Sequence, residues 1–105
     1  MLYVADTERA RVRAFDVGVD GSLSAERVFA SSIGGADGMA VDVSGNVYVT
    51  SASGIRVYDR EGTRWGTIEV ARIPANCAFG DADKRTLYIT AREGLYRVRL
   101  PVAGL

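Results

Sequence analysis

Histidine is absent from this sequence, and that absence removes more chemistry than any other feature of its composition. Without an imidazole there is no Ser-His-Asp or Cys-His nucleophile, no His-ligated zinc site, and no side chain whose ordinary pKa lies near neutrality. Any reaction must run on carboxylates, amides, lysine or hydroxyls. Cysteine occurs once, as Cys77. No disulfide can form within the chain, and the strand-like setting of Cys77 reads as that of a small buried hydrophobe. An excess of charge is missing too, because 13 basic and 13 acidic residues cancel. A neutral balance argues against a phosphate-tracking surface and a polybasic membrane contact, so neither nucleic acid nor membrane is an expected partner. Apolar runs reach only about five residues, far short of the roughly 20 a membrane helix needs. No charged-then-apolar leader opens the sequence, and a cytoplasmic location is the expectation. What remains, 105 residues that are 48% apolar and 25% charged, has the size and balance of one ordinary globular domain.

The residues that are present repeat with a period of about 40. A short aromatic strand pattern recurs as Leu2-Tyr3-Val4-Ala5, Val47-Tyr48-Val49-Thr50 and Leu87-Tyr88-Ile89-Thr90. Each is followed by a turn and a second alternating stretch, at 11–17, 55–59 and 95–100. Alternation of this kind, bounded by turn residues, predicts strands. The first two second strands lead through Val19-Asp20-Gly21-Ser22 or Arg60-Glu61-Gly62-Thr63 into a third, near 25–30 and 65–70. A short apolar strand precedes the second and third repeats, at Met39-Ala40-Val41-Asp42 and Cys77-Ala78-Phe79. Four antiparallel strands per unit is the pattern of a propeller blade.

The expected fold is therefore all-β, a β-propeller segment of about two and a half four-stranded blades. It forms a single partial domain, with blade strands two to four in 1–30, a full blade in 36–70 and strands one to three in 75–101. Both terminal blades are unfinished, and each exposes main-chain edges and an apolar face. Completion of a ring is the expectation, by another copy of the chain, with a head-to-tail homodimer favoured, or by a missing propeller segment.

Two stretches carry a resemblance. Asp37-Gly38-Met39-Ala40-Val41-Asp42 with Gly45-Asn46-Val47-Tyr48-Val49, and Asn76-Cys77-Ala78-Phe79-Gly80 with Thr86-Leu87-Tyr88-Ile89-Thr90-Ala91, resemble the gluconolactonase and regucalcin family of six-bladed propellers. Nearly the whole chain takes part, and it corresponds to the C-terminal portion of a family member. The resemblance implies hydrolysis of a sugar lactone with a divalent cation, Ca2+ or Zn2+, in the central channel. It places Asp37 as metal ligand and as the catalytic carboxylate that takes or steers a proton. It places Asn76 at the channel end of the next blade, in contact with substrate or bound water; capping of a turn is the alternative reading of that amide. A hard cation needs about six to eight oxygen ligands. The family's other ligands, a Glu and the Asn of an Asn-Gly pair, have no counterpart in this sequence, so the isolated chain is not expected to catalyse.

Other features have plainer readings. Arg9, Arg11 and Arg13 alternate along one strand face and read as a solvated surface. Asp16 and Asp59 sit where a carboxylate accepts hydrogen bonds from turn amides. Asp81-Ala82-Asp83 lacks the glycine and distal glutamate of a calcium loop and reads as a hairpin turn. Gly34-Gly35 is no phosphate cradle, since no helix follows. Trp65, Tyr3, Tyr48 and Tyr88 are expected to fill space between blades. Three functions stay open: a lactonase subunit active only in a completed ring, a non-catalytic propeller module that binds a partner or ligand, or a truncated piece that merely assembles.

Overall fold

A computed structural model describes all 105 residues. Ten strands and no helix make up the chain: β1 (Leu2–Asp6), β2 (Arg11–Val17), β3 (Leu23–Ala30), β4 (Met39–Val41), β5 (Val47–Ser51), β6 (Gly54–Tyr58), β7 (Arg64–Ile68), β8 (Asn76–Gly80), β9 (Thr86–Ala91) and β10 (Gly94–Arg99). They form three antiparallel sheets, ordered β1-β2-β3, β4-β5-β6-β7 and β8-β9-β10. This is the two-and-a-half-blade propeller segment that the repeat predicts, with β4 and β8 innermost in the second and third sheets.

Three hairpins share one turn chemistry. At Gly18–Ser22, Asp42–Asn46 and Asp59–Thr63, the first residue of five donates its amide to the carbonyl of the fifth, and the glycine in fourth place donates to the carbonyl of the first. Those glycines, Gly21, Gly45 and Gly62, have φ near +85°, a left-handed conformation that costs glycine nothing and other residues strain. Aspartate completes two of these turns, as Asp59 Oδ1 accepts the amides of Glu61 and Thr63 at 2.9 Å.

The period-two alternation puts one row of each strand against the neighbouring sheet. Between the first and second sheets lie Val12, Ala30, Ile33, Ala36, Val47, Val49 and Tyr58. Between the second and third lie Tyr48, Ile55, Cys77, Leu87 and Ile89. Only the second sheet is covered on both faces, and every residue of β5 is buried. Cys77 is a buried hydrophobe, and burial pushes its thiol up to about 12.

Several expectations need correction. Tyr3 packs edge-on against Phe29 in the first interface and Tyr48 against Phe79 in the second. Tyr88 pairs in register with Ala78 and Arg97 and is half-buried on the face of the third sheet away from the second. Trp65 is not a filler either: it is 66% exposed, because the third sheet has no outermost strand to cover it. Asp16 takes a hydrogen bond from Arg27 rather than from turn amides. The acceptor in that turn is Asp20, which binds the amide and hydroxyl of Ser22. The three arginines are not simply solvated, since Arg9 and Arg11 pair with Asp6 and Arg13 with Glu26.

After β10 the chain does not turn back to add a fourth strand. Residues 101–105 run toward the axis instead. Gly104 bridges to Asp42, Gly104 donates to the Lys84 carbonyl, Leu105 to that of Val41, and Val43 donates to that of Ala103.

Candidate functional site

The candidate site lies where the two innermost strands begin. The Gly38 amide donates to the Ala75 carbonyl at 3.0 Å, and the Gly38 carbonyl accepts from Thr50 at 3.0 Å. Residue 38 must lack a side chain, because a Cβ there would collide with the Oδ1, Cα and Cγ of Asn76. Sequence spacing alone shows neither contact. The result is that β4 and β8 start side by side, with Asp37 two residues ahead of the first and Asn76 opening the second. Ahead of Asp37, the buried Ala36 carbonyl accepts the Thr7 hydroxyl at 2.7 Å, which ties the approach to β4 back to the first sheet.

Asp37 is exposed and lines an open recess of about 470 Å³ together with Ile73, Pro74, Ala75, Thr90 and Arg92. Every other aspartate of the chain has a structural partner: Asp6, Asp16, Asp20, Asp42, Asp59, Asp81 and Asp83 each accept a hydrogen bond. Asp37 accepts none, so its carboxylate is free for a ligand. Asn76 is also exposed, and its Oδ1 accepts the Cys77 amide at 2.8 Å. The side-chain NH2 group makes no hydrogen bond within the chain.

The ligand count decides what the chain can do with a metal. No three or more His, Cys, Asp or Glu side chains come together, whereas a calcium-like cation takes about six to eight oxygens. The residues present therefore supply part of a shell and not a site.

One carboxylate that sequence reasoning left unassigned proves structural. Asp42 is fully buried and accepts from the Ser44 and Asn46 amides, the Asn46 side chain and the Tyr48 hydroxyl, all at 2.9–3.0 Å. Burial and the Asp42 carboxylate push the Tyr48 phenol above its ordinary value. The signal was in the spelling Asp42-Val43-Ser44-Gly45-Asn46, an aspartate opening a glycine-containing turn. Asp81 plays the parallel part in the third sheet, accepting from Thr86 and from the Tyr88 hydroxyl, and these bonds lower its pKa.

Residues 1–93 match the family described as the SMP-30/Gluconolactonase/LRE-like region. A lactonohydrolase of Aspergillus oryzae (strain ATCC 42149 / RIB 40) is 30% identical over 100 residues, 93% of this chain and 21% of that protein. Among solved structures, a gluconolactonase from Xanthomonas campestris superposes with a TM-score of 0.80 at 33% identity, covering 94% of this chain and 33% of its own. A calcium-binding regucalcin from Agrobacterium tumefaciens str. C58 superposes with a TM-score of 0.84 at 21% identity, covering 98% and 43%; that likeness speaks to fold alone. The chain thus spans less than half the length of each. With 93 of its 105 residues matched and its three sheets laid out as consecutive blades, the chain belongs to the SMP-30/gluconolactonase/LRE-like family.

Proposed function

We propose that this chain forms one wall of a lactone-hydrolysing propeller, in which Asp37 is one oxygen ligand of a divalent cation, Ca2+ or Zn2+, and Asn76 faces the bound lactone. The observation that carries the reading is the freedom of Asp37: a carboxylate without structural duty, at the start of an innermost strand, over an open recess. The lactone-directed names of two relatives support the substrate class, and the oxygen chemistry of a free carboxylate suits a hard divalent cation. Since the chain alone offers too few ligands, the remaining blades have to supply the rest. A further propeller segment would do so, whereas a second copy brings only the same residues and would add no more than its own Asp37 carboxylate. No step of the reaction is assigned to this chain by itself.

Calorimetric titration with Ca2+ and Zn2+, paired with a glucono-δ-lactone hydrolysis assay on the protein in its assembled state, tests this. The assembled protein should bind cation and turn over lactone, and Asp37→Ala should lose both while unfolding at the same temperature, because Asp37 has no internal bond to lose. Turnover that survives the substitution refutes the assignment of Asp37. Absence of any metal-dependent turnover favours a non-catalytic module.

A further inference from the structure

Asp37 does not stand alone in its recess. Of the seven residues that line this space, only Asp37 and Arg92 are charged, and they are of opposite sign. The lining comes from the approach to β4, the link between β7 and β8, and the β9–β10 hairpin, so the recess lies between two neighbouring sheets that are both in place. Backbone hydrogen bonds hold its walls: the Ala52 amide donates to the Gly34 carbonyl at 2.7 Å and the Ala75 amide to the Thr90 carbonyl at 2.8 Å.

Arg92 is exposed and enters none of the chain's ion pairs, with Asp37 or with any other carboxylate. Its neighbour Glu93 is taken by Arg72 at 3.1 Å. Where Arg9, Arg11, Arg13, Arg27 and Arg99 each meet a carboxylate, Arg92 offers an unpaired fork of donors to the recess. Its backbone is also unusual. Arg92 is the first of the two residues joining β9 to β10, and its φ of 55° is left-handed, a conformation that glycine adopts freely and other residues at a cost. A hairpin of this length favours glycine or asparagine there; this chain has arginine.

We infer that Arg92 selects the substrate of this site, and that the preferred lactone carries an anionic group, a carboxylate or a phosphate, apart from its ring ester. A planar guanidinium meets either oxyanion through two parallel hydrogen bonds, whereas a neutral sugar lactone offers it hydroxyls alone. A free carboxylate suits a cation and a free guanidinium suits an anion; since the two do not pair with each other, both are left for ligands. A divalent cation held by Asp37 would add positive charge to the same recess and favour an anionic substrate further. The lactone part of this inference rests on the function proposed above; the anion contact does not.

The test compares turnover of glucono-δ-lactone, which is neutral, with that of glucarolactone and phosphogluconolactone on the assembled protein. At least one anionic lactone should have the higher kcat/KM, and which one does identifies the group. Arg92→Ala should cut that preference, the ratio of the two kcat/KM values, about tenfold, and Arg92→Lys, which keeps the charge and loses the fork, should recover part of it. Binding is read separately, by calorimetry with glucarate and phosphogluconate against gluconate, which has one anionic group fewer. This arm needs no turnover: if no lactone is hydrolysed, Arg92-dependent binding of the two richer acids upholds the anion contact while the lactonase reading falls. Equal kcat/KM for neutral and anionic lactones, or a preference that Arg92→Ala leaves intact, overturns the inference and spares the lactonase reading. Equal binding of all three acids overturns it as well.

Discussion

Tyr48 and Tyr88 hold the same place in successive sheets, on β5 and β9, and each donates its hydroxyl to an aspartate at the end of the preceding hairpin strand. Their circumstances differ. Tyr48 is 4% exposed between two sheets, whereas Tyr88 is half-buried and its bond to Asp81 is open to solvent. One repeated pattern thus yields a sealed polar network in the second sheet and a wetted one in the third. What separates them is the neighbour, since a buried hydrogen bond that loses its partner meets no water and an exposed one does.

The sharpest test of that contrast is to remove the two acceptors. Asp42→Ala strands the Tyr48 hydroxyl, the Asn46 amide and two loop amides, and should cost about 4 kcal/mol by urea denaturation. Asp81→Ala, where water can replace the carboxylate, should shift the midpoint far less; equal losses would break the comparison. Apolar truncation follows. Ile55 has no exposure and Leu95 is 71% exposed, so Ile55→Ala should cost about 3 kcal/mol and Leu95→Ala less than about 0.5 kcal/mol. Smaller still is the effect of the two hairpin glycines. Gly54 has φ +123° and a Cβ there would strike the Ile68 carbonyl, whereas at Gly94 it would meet only the Tyr96 ring. Gly54→Ala should therefore lower stability by about 2 kcal/mol, and Gly94→Ala by less, read as thermal midpoints.

The smallest expected effect is a pH dependence confined to the third sheet. Hydrogen bonds from the Arg99 guanidinium and the Arg85 amide hold the Asp83 carboxyl down at about 2. A folded-state value below the unfolded one contributes stability that is complete above the ordinary aspartate value and lost as pH falls toward the folded value. Asp83→Asn should accordingly flatten the stability curve between about pH 4 and pH 2 and lower the plateau above it slightly, leaving the slope near neutrality unchanged. An unaltered acid limb would show that the pair is too well hydrated to matter.

How much of this was legible beforehand depended on whether a residue answers to its own strand or to something across the molecule. Strand positions followed from alternation and from glycine-bearing turns, and all ten lie where those signals put them, with ends shifted by a residue or two. Within this chain Trp65 is exposed and Tyr88 half-buried, because an aromatic is covered only where another strand or sheet lies over it, which the local pattern does not encode. Asp16 was misjudged because β2 runs on past it, leaving Asp20 to serve the turn. At the candidate site, the place of Asp37 came from the motif that it opens; its freedom from hydrogen bonds, and the crowding of Gly38 by Asn76, came only from the fold.

That crowding has a further consequence. Near the axis, the spacing between the second and third sheets is set by a single hydrogen atom at position 38. A methyl group there would act as a wedge, prising the inner strands apart and opening the angular step from one sheet to the next. Since the number of units that close a circle is fixed by that step, the smallest residue in the chain helps to determine the circumference of any ring it joins.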